Sequence, residues 1–122
     1  FGQVARACAQ APVEAHIVCF QSMGRDVGGA TRGNPARAIR FCSKAQERQH
    51  KLDCLEGAVQ DSFWDAGGAE DALAFCVMLQ GQEEKQRCYS TIIVRALQIL
   101  QGPSDIDEFC NRIEEPYRDQ CP

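Results

Sequence analysis

No apolar run in this sequence approaches the roughly 18 residues that a membrane-spanning helix needs. The longest greasy stretch, 91–100, is interrupted by Arg95 and Gln98, so no membrane span is expected. Positive charge is in short supply as well. Thirteen Lys and Arg stand against seventeen Asp and Glu, for a formal net charge of −4. Nucleic acid and anionic lipid both call for a clustered basic face, so neither is expected as a partner. Histidine occurs only at His16 and His50, and no H-E-x-x-H, G-x-S-x-G or phosphate-loop pattern is present. The expectation is a protein without catalytic residues or a cofactor. His50 lies in the polar stretch 46–51 and is expected at the surface.

Short cysteine spacings are missing too. Zinc sites favour C-x2–4-C pairs. Copper-type sites want thiolates three or four apart on one helix face, and redox catalysis wants C-x-x-C. None of these occurs, so no metal site is assigned. No low-complexity tract or interdomain linker appears. An apolar content of 44% with 25% charged residues suits one globular domain over 1–122. The chain opens at Phe1 without an apolar leader, which reads as a mature or excised form.

Cysteine itself is abundant. Eight in 122 residues, an even number, points to a disulfide framework made in an oxidising compartment, secreted or periplasmic. Cys8, Cys42, Cys76 and Cys110 are 34 apart, and Cys19, Cys54, Cys88 and Cys121 are 35, 34 and 33 apart. Constant spacing marks a repeat architecture. Around the first cysteine of each unit, apolar residues recur four before it (Val4, Ala38, Ala72, Ile106) and one before it (Ala7, Phe41, Phe75, Phe109). They recur again three after it (Ala11, Ala45, Leu79, Ile113). Those offsets form one face of a helix, here helix A. After the second cysteine a similar stripe holds Phe20, Leu55 and Tyr89 at the next position. Met23-Gly24, Ala58-Val59 and Ile92-Ile93 follow, then Gly28, Phe63 and Leu97. This is helix B, and the first copy is the weakest because glycines replace large residues.

Pro12, Gly81 and Pro116 interrupt the path between paired cysteines in three units, whereas 43–53 has no breaker and could continue as one helix. Cysteines 12 apart on one helix would lie about 18 Å apart along the axis, beyond the roughly 7 Å between Cα atoms that a disulfide allows. In a hairpin they face each other. Eight cysteines permit 105 connectivities. The hairpin geometry selects Cys8–Cys19, Cys42–Cys54, Cys76–Cys88 and Cys110–Cys121. The expected fold is all-α: an α-solenoid of about four two-helix repeats, approximately 1–34, 35–68, 69–103 and 104–122, with one disulfide each. Gly28-Gly29, Gly33-Asn34-Pro35, Gly67-Gly68 and Gly102-Pro103-Ser104 are the expected breaks between hairpins. Asn34 and Ser104 are the candidate helix caps, and 28–34 is the longest expected loop.

The 34-residue two-helix unit resembles tetratricopeptide and Sel1-like repeats. Met23-Gly24, Gly28-Gly29, Asn34-Pro35-Ala36-Arg37-Ala38-Ile39 and Lys44-Ala45 look like a degenerate Sel1 pattern. One disulfide per unit is similar to the secreted Helicobacter cysteine-rich Sel1-like proteins, although the cysteine spacing here is longer by about one helical turn. The resemblance implies an α-solenoid that binds proteins or peptides, and it supplies no catalytic residues.

Three before the second cysteine stand His16, Lys51, Lys85 and Arg118, a base at every copy. A helix start prefers an acid there. One reading is repeat-to-repeat ion pairing with acids such as Glu14, Glu47, Glu83 or Glu115, or simple solvation in the loop. The other is a ladder of charges that grips an acidic partner. Exposed positions of helix A, including Arg37, Arg40, Glu70 and Asp71, would set specificity if the partner lies on stacked helices A. Phe63 and Trp64 are expected to pack against the next unit, with a binding anchor as the alternative. Three roles therefore remain: a protein- or peptide-binding module, a cysteine-based copper or zinc carrier, or an accessory or inhibitor domain of a secreted enzyme. A thiol titration with intact-mass measurement separates the first two. No free thiol and a mass eight hydrogens below the reduced chain are expected, given the eight cysteines. Eight titratable thiols would instead favour the metal carrier.

Overall fold

The computed structural model describes residues 1–122 and is entirely helical, with no strand. Seven α-helices follow one another: α1 (Gly2–Gln10), α2 (His16–Ala30), α3 (Pro35–Cys42), α4 (Arg48–Ser62), α5 (Ala69–Met78), α6 (Gln82–Ile99) and α7 (Gly102–Asn111). Single 3-10 turns lie at Val13–Ala15, Ala66–Gly68 and Tyr117–Gln120. The odd-numbered helices are short, and each leads through a tight turn into a longer partner. After α7 the partner is only the last of these 3-10 turns.

Each turn has a local cause. Ala11 is extended, at φ −68° and ψ 161°, because the following Pro12 disfavours helical backbone before it. The segment without a breaker also turns. α3 stops at Cys42, the Ser43 hydroxyl donates back to the Ile39 carbonyl (2.9 Å), and Ala45 is buried against the core. The continuous-helix alternative is thereby excluded. Asn34 caps α3 as expected: its Oδ1 accepts from the Arg37 amide at 3.1 Å, and Pro35 follows at the first helical position. Ser104 does not cap α7. That helix begins two residues earlier, at Gly102, with Pro103 tolerated in its first turn.

The four disulfides join the expected partners, Cys8–Cys19, Cys42–Cys54, Cys76–Cys88 and Cys110–Cys121, with Cα separations of 5.5, 5.5, 5.5 and 6.2 Å. No cysteine is free. Disulfides of this kind belong to an oxidising environment outside the cytosol. No helix is long and apolar enough to cross a membrane.

One continuous core of 25 buried residues runs the length of the molecule. Ala38, Ala72, Phe75 and Phe109 of the odd helices enter it, as do Phe20, Met23, Val59, Tyr89 and Ile92 of the even ones, joined by Phe63, Leu79 and Ile113 just past the ends of α4, α5 and α7. Three stripe positions are corrected. Ala7 of α1 is exposed. Val4 is 42% exposed, because α1 turns Ala5 and Cys8 inward instead. Leu97 is 47% exposed, since the neighbouring Ala96 takes the core-facing position on α6.

The glycines of α2 have a different role from that expected. α2 runs through Gly28 and Gly29 to Ala30, and the turn that follows is confined to 31–34. Thr31 closes the helix by donating its hydroxyl to the Val27 carbonyl at 2.7 Å. α2 and α4 make the most extensive helix contact in the protein. A Cβ at Gly24 would collide with the Cys54 carbonyl, and one at Gly57 with the Gln21 carbonyl. At Gly28 a Cβ would come within 2.8 Å of the Ala58 carbonyl. Missing side chains let the two backbones touch. Gly29 meets nothing within 4 Å. Gly57→Ala should therefore lower the stability by about 2 kcal/mol, as overpacking does. Gly29→Ala should raise it by up to about 1 kcal/mol through helix propensity. Chemical denaturation of the oxidised protein measures both. Equal effects at the two sites would contradict the close-contact account.

Candidate functional site

The recurring bases come first. His16 Nε2 lies 2.8 Å from the Ala11 carbonyl. Lys85 Nζ donates to the Val77 carbonyl at 3.2 Å and to both Glu114 oxygens at 3.0 and 2.9 Å. Arg118 Nε donates to the Ile113 carbonyl at 3.0 Å, and its Nη1 is 3.2 Å from Glu115. Three of the four thus reach a carbonyl at or just beyond the end of the preceding short helix, where backbone acceptors lack intrahelical donors. Lys51, in the first turn of α4, is half-buried and makes no side-chain hydrogen bond or ion pair. The signal was available in the spacing. A residue three before the second cysteine faces the segment just after the first, because the disulfide holds those two places together.

Lys85 is only 16% exposed and sits in a small polar cluster. Tyr89 donates to Glu114 at 2.7 Å and stacks on Tyr117, with ring centroids 5.2 Å apart. The Lys85 and Tyr89 hydrogen bonds hold the Glu114 carboxyl below its ordinary range, against the opposing effect of burial. Burial, together with Glu114, pushes the Tyr89 phenol far above its usual value.

A second ionic group escaped the sequence reading. Arg87 of α6 reaches Asp53 at 3.1 Å and also Glu56, both on α4, while Gln21 of α2 donates to Glu56 at 3.3 Å. Burial works against the Arg87 charge, and the hydrogen bonds to Asp53 and Glu56 outweigh it, so its pKa is raised. Asp53 and Arg87 each precede a second cysteine. Opposite charges in equal register one unit apart would have revealed the pair.

Arg37 and Arg40 lie on the exposed side of α3, and neither has a carboxylate within ion-pair distance. The Arg37 guanidinium sits 5.3 Å from the Phe41 ring centre. Glu70 of α5 pairs with Arg112 at 2.6 Å, which holds its carboxyl low, while Asp71 is exposed.

The largest surface depression, about 640 Å³, is not on the odd helices. It runs over α2, α4 and α6, and Arg25, Glu56, Asp61, Trp64, Val94 and Arg95 are among its walls. Phe63 and Trp64 part company there. Phe63 is fully buried, 5.6 Å from the Phe109 ring, as expected of a packing residue. Trp64 is 65% exposed, because α4 ends at Ser62 and the chain turns its side chain outward. Arg95 is oriented from behind: it donates to the Phe63 carbonyl (3.1 Å), the Trp64 carbonyl (3.3 Å) and Gln98 (3.1 Å).

His50 is also corrected. It is 8% exposed, stacked on Phe20 with centroids 4.0 Å apart, and edge-on to His16 at 4.9 Å. The polar sequence around it hid this, because one helical face of 46–51 turns inward at the start of α4. All eight sulfurs are in disulfides, and no three His, Cys, Asp or Glu side chains are grouped so as to hold a metal ion. Comparison with known proteins finds no match to any family model, curated protein or solved structure.

The Glu114 cluster yields a pH test. A carboxyl held low in the fold stabilises it above the ordinary carboxylate range, and that stabilisation is lost as pH falls through the lowered value. Glu114→Gln should lower the denaturation midpoint at pH 7, with a clearly smaller penalty at pH about 3. An equal penalty at both pH values would rule out the charge as the source.

Proposed function

We propose that this chain is a non-enzymatic interaction module: an α-solenoid of about four helical repeats, of the tetratricopeptide or Sel1-like kind, that binds a protein or peptide partner outside the cytosol. Secretion and a periplasmic location suit its four disulfides equally. The repeat reading draws support from the 34-residue cysteine register and from even helices packed in sequence, α2 on α4 and α4 on α6.

The observation that carries the binding reading is the charge balance of the groove. Glu56 and Asp61 in its wall are already engaged, by Arg87 and Arg32. Arg25 and Arg95 have no carboxylate partner. Arg25 donates only to the neighbouring Ser22. Arg95 uses three of its five N–H donors on its own chain, which leaves two for a ligand. An exposed Trp64 and Val94 stand beside these two cations. Tryptophan and arginine are the side chains that most often dominate binding energy at interfaces. The partner is an extended acidic segment with an apolar residue to lie against Trp64. All eight sulfurs are committed to disulfides, which favours this reading over thiolate metal storage.

Trp64, the only tryptophan, reports occupancy by its fluorescence. Titration with an acidic peptide library should shift it saturably, and the affinity should fall as salt is added. Arg25→Glu and Trp64→Ala should each weaken binding about tenfold. Lys51→Glu should leave it unchanged. If Lys51→Glu abolishes binding while the two groove variants retain it, the contact lies on the edge formed by His16, Lys51, Lys85 and Arg118. Retention by all three variants would refute both locations.

A further inference from the structure

A second recess shares no lining residue with the groove. It opens between α1, the start of α2, the turn 43–47 and the first turn of α4, with a volume of about 320 Å³. Small-molecule sites occupy about 300–1,000 Å³, so this one is at the compact end. Its apolar lining is Phe20 and Ala5, both buried, with the exposed Ala9, and its polar walls include Arg6, His16, Lys44, Glu47 and His50.

The charges in this recess do not cancel. Six of the thirteen cations in the protein pair with a carboxylate: Arg32, Arg48, Lys85, Arg87, Arg112 and Arg118. Arg6 and Lys44 do not, although the chain carries an excess of acids. The one acid among the polar walls named above is Glu47, whose Oε2 lies 3.3 Å from His50 Nε2. The two imidazoles are fixed in place. His16 is held through Nε2 by the Ala11 carbonyl, and His50 is sandwiched on Phe20 with its side chain nine-tenths buried. In each ring the Nε2 edge is engaged and Nδ1 has no partner in the protein. Two held rings and two unneutralised cations therefore surround one small space.

We infer that this recess between the first two disulfide-closed hairpins binds a compact organic or inorganic anion, a carboxylate or a phosphate. Arg6 and Lys44 supply the charge and the two histidines the fixed polar walls. The site is independent of the groove. No residue is shared between them.

The test titrates the intact oxidised protein at constant ionic strength with succinate, with inorganic phosphate, and with succinamide as an uncharged control. NMR follows the imidazole signals of His16 and His50. Saturable shifts of both histidines with succinate or with phosphate, and none with succinamide, are expected. The anion that gives them identifies the ligand class. Arg6→Ala combined with Lys44→Ala should weaken the response about tenfold, as loss of two charge contacts would. Both side chains are exposed. Unaltered amide signals in α5 to α7 would verify that the variant is folded. Shifts that grow linearly without saturation, appear equally with succinamide, or persist undiminished in the folded double variant would overturn the inference.

Discussion

Helices of eight to ten residues are marginal in water by themselves, since nucleation costs more than so few hydrogen bonds return. α1, α3, α5 and α7 are all in that range. Each is tied by one disulfide to the segment that follows it, with Cα atoms 5.5 to 6.2 Å apart. Closing a loop of about a dozen residues removes on the order of 3 kcal/mol of unfolded-state freedom. The bonds do more than add stability. By fixing where the two segments of a hairpin meet, they fix which side chains meet as well. Lys85 reaching Val77, Arg118 reaching Ile113 and His16 reaching Ala11 all follow from that placement.

Contact between hairpins has a separate origin. α2 and α4 approach until backbone meets backbone, and Gly24 and Gly57 make that possible. Between α4 and α6 the contact is less extensive, and Arg87 bridges the two helices to Asp53 and Glu56. Packing therefore changes character along the molecule, from bare backbone contact to an ionic clasp. Partly buried ion pairs are an uncertain source of stability. What this one does is set the register of α6 against α4, because a slip of one turn would leave Asp53 buried and unpaired.

The same ionic accounting separates structural from available charge. Lys85, Arg87, Arg112 and Arg118 are held by acids of this chain. Arg25 and Arg95 beside Trp64 are not, nor are Arg6 and Lys44 beside the paired histidines. A base that recurs at every copy looks like a recognition feature in the sequence. In the fold, three of the four such bases also close their own hairpin, and the unpartnered cations of the groove stand at positions that do not recur.

The sequence by itself determined the helical class, the turn in three of the four units and the complete disulfide pattern. These depend on spacing, and a period of 34 residues is written in the order of the chain. It also identified most of the core, because the stripes around each cysteine follow the helical period. It missed the burial of His50, the exposure of Trp64 and Leu97, and the contact role of Gly24 and Gly28. Each of those depends on what a neighbouring helix presents at that place. The glycines looked like weak points because a missing side chain carries no sign of the backbone that fills its space. Only the tertiary structure decided which cations stand without an acid, since ion pairing here joins residues 29 to 42 positions apart as readily as neighbours. Local order sets the period. Distances between helices set the charge that remains for a partner.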